Sequence, residues 1–293
     1  GLNMGPAEMD QASQLEIIAR HGAGVDIVDV EAASQRGIPV TFTPFGPTES
    51  TAEHALMLLL AVARRLPQLD RAVRGGDFHI RDRLMGGELE GKALGIVGFG
   101  ALGQGVARVA ETFNMDVLVA ARPGSDTVPE DRVSMSQLLE RCDAISLHCP
   151  LTDATRGLFG AAQFRAMKKS AFLINTARGG LVDSQALTDA LRDGEIAAAA
   201  IDVLPEEPPV DGDPLLDYAG NNLILTPHIA WSTLQARQNA IDELTANIAE
   251  SLDGKERNRV VSAPIICPAH RTIWRTRGEP RSWASSNDTQ RHS

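Results

Sequence analysis

The chain has 293 residues, 43% of them apolar and 23% charged, with a formal net charge of −10. That length holds two domains of ordinary size, and the apolar share is that of a folded globular protein. The acidic balance offers no basic surface to nucleic acid, and the most apolar run, 55–63, falls far short of the ~20 residues a membrane helix needs.

From the N-terminus, Leu15 to Ala19 reads as a strand, followed by the loop Arg20 to Asp26. Gly22 and Gly24 in that loop suit either a plain turn or a nest of N–H groups facing an anion. Asp29 to Gln35 reads as a helix closed by Gly37, and Ile38 to Phe42 as the next strand. Pro47 to Arg74 reads as long and helical, with Thr48 or Ser50 as N-cap and a kink or stop at Pro67. Its stripe of Ala52, Ala55, Leu56, Leu59 and Ala63 is widened by Met57, Leu58 and Val62. A helix apolar nearly all round belongs between layers or at a subunit contact. The glycine-rich segment that follows suits a hinge between domains.

The stretch Gly91 to Ser125 organises the rest. Ala93 to Val97 is a short buried strand. Gly98, Gly100 and Gly103 follow as G-x-G-x-x-G, Ala101 to Thr112 carries a helical face, and Val117 to Ala121 reads as the second strand. Three glycines at the first turn of such a βαβ unit are the pattern of a dinucleotide site. The first gives a tight turn, the second admits the pyrophosphate, and the third lets helix and strand pack closely. The N–H groups of Ala101 and Leu102, at the helix start, are the phosphate donors.

Beyond Arg122 helix and strand alternate through Leu223 to Leu225, and Thr233 to Leu252 closes the ordered chain as a helix. Such alternation predicts an α/β fold with a parallel, doubly wound sheet, whose ligand lies beyond the carboxyl ends of the strands. The candidates there are Arg122, Cys149 with Pro150, Thr176 to Gly179 (with Ala177), Asp202 to Glu207 and Thr226 to His228, which include the ionisable trio Arg178, Glu207 and His228. Individually each of the three has an ordinary use in a loop; together they match the needs of carbonyl reduction. Cys142, Cys149 and Cys267 are odd in number and lack metal-ligand spacing, which predicts reduced thiols in a cytoplasmic protein without a metal site. Residues 265–293 lack periodicity and read as a disordered tail.

From about Leu15 to Ala263 the sequence resembles the D-isomer-specific 2-hydroxyacid dehydrogenases. GIVGFGALG, SLHCPLT with NTARGGLVD, AAIDVLPEEP and LTPHIAWST stand in the family's order. HIAW is similar to the glycerate dehydrogenase and hydroxypyruvate or glyoxylate reductase branch. The resemblance implies two Rossmann-like domains, with a cofactor domain (76–231) inserted in a smaller, flavodoxin-like substrate domain (1–75 and 232–264), and a homodimer through the cofactor domains. By motif it implies Arg178, Glu207 and His228 as catalytic residues, and the loop of Gly22, Ala23 and Gly24 with Arg178 as the substrate carboxylate site. Cofactor contacts fall to Gly98, Gly100, Ala101, Leu102, Gly103, Arg122, Cys149, Pro150, Thr176, Ala177, Asp202 and His228.

Two departures from the family pattern shape the expectations. The acidic residue due at the end of the second strand is replaced by Ala121, with Arg122 next to it, which favours NADP over NAD. Only about 14 residues precede Leu15, so the substrate domain is expected to be incomplete at its N-terminus. The function implied is hydride transfer between a nicotinamide cofactor and a small 2-oxo or 2-hydroxy acid. The rivals are a dinucleotide-sensing module that binds partner proteins and a shortened, inactive copy of the enzyme.

Overall fold

A computed structural model describes residues 3–125 and 127–260. The expected tail and Cys267 lie outside the described residues. Two parallel sheets are present. The smaller pairs β1 (Ile18–Arg20) with β2 (Val40–Phe42), joined by α2 (Val30–Gln35). The larger has the order β4-β3-β5-β6-β7-β8, built from β3 (Ala93–Val97), β4 (Asp116–Val119), β5 (Ala144–Leu147), β6 (Phe172–Asn175), β7 (Ala198–Ile201) and β8 (Leu223–Leu225). All its neighbouring strands run parallel. The chain steps from β3 outward to β4, then back across to β5, so the topological switch lies between β3 and β5. That crevice is where a doubly wound sheet binds its ligand.

Helices cover both faces. On one side α6 (Met135–Arg141), α7 (Ala161–Ala166) and α8 (Ser184–Asp193) bury Leu138, Phe164, Leu187 and Leu191 against Ile145, Leu147 and Leu173. On the other, α5 (Ala101–Thr112) packs with α3 (Thr48–Ala63) against Leu94, Ile96, Ile174 and Ala200. Thus α3 leaves the small sheet but buries its apolar surface in the core of the large one. Gly105 permits that closeness, since a Cβ there would sit 3.2 Å from the Ala52 Cβ. Gly105→Leu is expected to force α3 and α5 apart and to cost about 1–3 kcal/mol, read as a lower urea midpoint with an unchanged slope.

The small unit has its own core of Met9, Ile18, Val28, Ala33 and Val40, and α9 (Leu234–Leu252) returns to pack on β1 and β2. A short helix, α1 (Pro6–Gln11), precedes β1; it was not read from the sequence, although Pro6 opens its first turn and Glu8 accepts from the Gly5 N–H at 3.0 Å.

Several boundaries differ from expectation. β1 starts at Ile18, not Leu15, because pairing of Ile18 with Val40 sets the register. The long helix breaks at Arg65, which is left-handed with φ 53°, and α4 (Leu66–Arg74) begins with Pro67 in its first turn, where its missing N–H costs nothing. The N-cap of α3 is Pro47, not Thr48 or Ser50. Both hydroxyls are engaged elsewhere: Thr48 donates to the Pro44 carbonyl and Ser50 to the Ala230 carbonyl. β4 ends at Val119, two residues short of Ala121. Among the described residues no helix is long and apolar enough to cross a membrane.

Candidate active site

The glycine turn lies at the switch point. A Cβ on Gly98 (φ +95°) would sit 2.5 Å from the Cys149 backbone nitrogen, and one on Gly103 would sit 2.1 Å from the Gly98 carbonyl oxygen. Gly100 meets nothing within 4 Å, so the turn is packed from behind and open in front. Ala101, Leu102 and Gly103 form the first turn of the 12-residue α5, whose leading N–H groups have no intrahelical acceptor. Two strands over on the same carboxyl edge, at the end of β6, the Thr176 hydroxyl is buried without a partner among the described residues. Free helix donors and an open glycine at the crevice fit a dinucleotide phosphate, and the orphaned hydroxyl further along the same edge offers a polar group to the rest of such a ligand.

Around this crevice, Cys149 is buried and its thiol is pushed up to about 11 by burial, so it is a neutral packing group. Pro150 is exposed beside it, and Ala177 is buried with its N–H donating to the Asn175 side chain at 3.0 Å. Arg122 is exposed just past β4, and among the described residues its guanidinium makes no ion pair. The His148 ring follows β5 with Nε2 2.8 Å from the Ser146 hydroxyl and Nδ1 buried without a partner; burial pushes its pKa down to about 4, so it is neutral.

Glu207 and His228 meet on neighbouring loops after β7 and β8. The His228 Nδ1 lies 2.5 Å from one carboxylate oxygen of Glu207, and the other accepts from the Leu204 N–H at 2.9 Å. Burial works against charge on Glu207, but the bond and charge of His228, the Leu204 N–H and Arg178 outweigh it and hold the carboxyl below its usual range. The pairing leaves Nε2 of the ring as the nitrogen that can exchange a proton with a ligand.

The His228 loop is built on Asp202. That carboxylate accepts from Ile229 and Ala230 N–H groups, both at 3.0 Å, and from the Thr226 hydroxyl at 2.5 Å, while the His228 N–H donates to the Asp202 carbonyl at 2.7 Å. Burial opposes ionisation of Asp202 as well; the bonds from His54, Thr226 and the two N–H groups overcome it and lower its pKa. Asp202, expected as a cofactor contact, therefore spends its side chain inside the protein.

Arg178, just past β6, crosses to the small unit. Its Nε and one terminal nitrogen donate to the same Asp26 oxygen at 3.1 and 2.9 Å, and its other terminal nitrogen donates to the Ala177 carbonyl at 2.7 Å. The guanidinium points one terminal nitrogen at Gly24, where a Cβ would come within 1.4 Å of that nitrogen and 2.7 Å of Cζ. The Arg20 Nε donates to the Gly24 carbonyl at 3.1 Å and shapes the same loop from behind. Burial lowers the Arg20 pKa, as does the neighbouring Arg178. Arg178 and the Gly22–Gly24 loop are thus in contact, and the Glu207–His228 pair stands on the same edge of the large sheet. Thr226 stands at the start of the expected candidate stretch after the last strand, while Asp26, Arg20 and His54 have no role in the sequence reading; Asp26, directly after G-A-G-V, carries the only local signal among them.

Comparison with known proteins identifies the family. Residues 56–230 match the family model described as "D-isomer specific 2-hydroxyacid dehydrogenase, NAD binding domain". A D-3-phosphoglycerate dehydrogenase of Archaeoglobus fulgidus is 41% identical over 90% of this chain and 50% of its own length. A glycerate dehydrogenase of Methylorubrum extorquens is 40% identical over 86% of this chain and 81% of its own. The chain spans about half the length of the phosphoglycerate dehydrogenases it matches. Among solved structures, an acyclic imino acid reductase in complex with NADPH and D-Arg superposes with a TM-score of 0.81 at 30% identity, over 89% of this chain and 83% of that one. With the family's cofactor-domain pattern matched from α3 to the His228 loop, and relatives of this identity covering most of its length, the chain belongs to the D-isomer specific 2-hydroxyacid dehydrogenase family.

Proposed function

We propose that the chain is a reductase of small 2-oxo acids of the glyoxylate and hydroxypyruvate class, working with a reduced nicotinamide dinucleotide. The observation that carries this reading is the carboxylate–imidazole pair standing with an arginine at the same carboxyl edge of the sheet that carries the open glycine turn. A bound nicotinamide supplies the hydride. The Gly22 N–H, expected as a donor to substrate, is instead given to the Thr43 hydroxyl at 2.7 Å and so shapes the loop. The Ala23 and Gly24 N–H groups and Arg178 hold the substrate carboxylate, and Arg178 also draws charge onto the carbonyl oxygen. His228 gives a proton from Nε2 to that oxygen as it becomes an alkoxide. Glu207, bonded to Nδ1, fixes the ring's tautomer and orientation so that Nε2 faces the substrate oxygen. The glycerate dehydrogenase relative supports the substrate class, since oxidation of glycerate at C2 yields hydroxypyruvate. Oxidation of reduced nicotinamide in the presence of glyoxylate or hydroxypyruvate tests the reading; tight cofactor binding without oxidation by either acid would favour a dinucleotide-sensing module.

NADP is the favoured cofactor. Ala121 offers no carboxylate to grip the ribose hydroxyls or repel a phosphate, and exposed Arg122 follows it. The NADPH complex of the imino acid reductase lends support. Arg122→Ala is expected to weaken NADPH more than NADH by about 1–3 kcal/mol in a fluorescence titration; equal loss for both cofactors would count against it.

A homodimer completes the reading. Helix α4 and the 3-10 turn Phe78–Asp82 bury none of their side chains, and with the segment after them they expose Leu66, Val73, Phe78 and Met85. Such a surface suits a second copy of the chain.

A further inference from the structure

The bonds that shape the His228 loop do not end at the large sheet. They reach α3, the helix that arrives from the small unit. Ser50 and His54 stand four residues apart on α3, hence on one face. The Ser50 hydroxyl donates to the Ala230 carbonyl at 2.6 Å. The His54 Nε2 lies 3.2 Å from the Thr226 hydroxyl and 3.5 Å from the Asp202 carboxylate. Both partners of His54 belong to the frame of the loop: Thr226 bonds Asp202, and Asp202 takes the N–H groups of Ile229 and Ala230. These contacts therefore hold residues 226 and 230, on either side of His228.

His228 itself sits at φ 52°. A side chain other than glycine keeps that left-handed turn only where its surroundings impose it. The frame is also dry: Asp202 has no exposed side-chain surface and His54 has little.

We propose that Ser50 and His54 are positioning residues for the proton-transfer step, clamping the 226–230 loop from α3 so that His228 is presented in its left-handed turn. The inference rests on the reading of His228 as proton donor. Neither residue touches the reacting atoms; each acts through the loop. Because α3 begins at the end of the small unit and lies in the core of the large one, the clamp ties the loop to the helix that joins them.

The test uses the full chain and four variants: His54→Leu, His54→Gln, Ser50→Ala and His228→Ala. His54→Leu removes the donor and keeps apolar bulk, and His54→Gln restores an amide donor. The expected result for His54→Leu is a kcat lower by about 10-fold or more, with cofactor Kd and thermal midpoint little changed. The ring Cε1–H resonance of His228 should be displaced, and His54→Gln should recover most of kcat. A kcat within about twofold of the parent, or a loss that glutamine does not recover while the His228 resonance stays put, would overturn the proposal. If His54→Leu fails to fold, Ser50→Ala decides: a kcat reduced by about threefold or more supports the clamp, and an unchanged kcat overturns it. His228→Ala separates the two readings. Should it keep turnover, the proton-donor assignment fails and the clamp is judged by the His228 resonance alone, whose displacement in His54→Leu supports it and whose constancy overturns it.

Discussion

His228→Ala is expected to lower turnover with 2-oxo acids by about 10²–10⁴-fold, the range for loss of a general acid, while cofactor affinity stays close to the parent's. The separation follows from the geometry. The ring stands after β8 on a loop framed by Asp202, whereas the glycine turn and the start of α5 lie after β3, at the switch point. Removing the imidazole leaves the Asp202 frame intact, because that frame is built from the N–H groups of Ile229 and Ala230 and from the Thr226 hydroxyl. Glu207 then faces an empty position. Its carboxyl is held low partly by His228, so in the variant it should titrate at higher pH than in the parent. Turnover and cofactor titration on the same preparation check the expectation, and retained turnover would remove His228 from the reaction.

Arg178→Ala is expected to cut kcat/KM by about 10²–10⁴-fold, the equivalent of two charge-assisted bonds of ~1.5–3 kcal/mol each. Arg178→Lys should recover only part of this, because an ammonium cannot present two donors in a fixed fork. In the structure the fork is held by Asp26, whose own carboxyl is subject to opposing influences: burial raises its pKa, and the bond and charge of Arg178 lower it further than burial raises it. The pair is thus fully formed above the ordinary carboxylate range and is lost as pH falls through the lowered Asp26 value. A substrate carboxylate must share the guanidinium with Asp26, so the loss in Arg178→Ala should appear for 2-oxo acids and be much smaller for a ketone without a carboxylate. Equal losses for both would place Arg178 outside the carboxylate site.

Much of this was legible in the sequence where the signal is local. The βαβ unit at 91–125 declared itself because a strand, three spaced glycines and a helical face lie within one short stretch, and β3 and α5 fall at the expected residues. Gly194 ends α8 in a left-handed cap, as a glycine at that place should. The ionisable trio is legible because each member stands on a loop that follows an apolar strand. What stayed hidden depends on contacts between distant residues. β1 gained its register from β2, and the break after α3 fell at Arg65, a residue with no turn preference of its own. Asp202 looked like a cofactor ligand by position, yet three bonds from residues 226–230 absorb its carboxylate. His54 sits 172 residues from Thr226 in sequence, and no pattern along the chain joins them.

The most direct test of the central claim is transfer of label from a reduced nicotinamide carrying deuterium at both positions of C4, with glyoxylate or hydroxypyruvate as acceptor and the parent chain as catalyst. The account predicts oxidation of the nicotinamide with one deuterium delivered to C2 of the hydroxy acid, and loss of that transfer in His228→Ala. Product without deuterium at C2, or a tightly bound cofactor that is never oxidised by a 2-oxo acid, would contradict it.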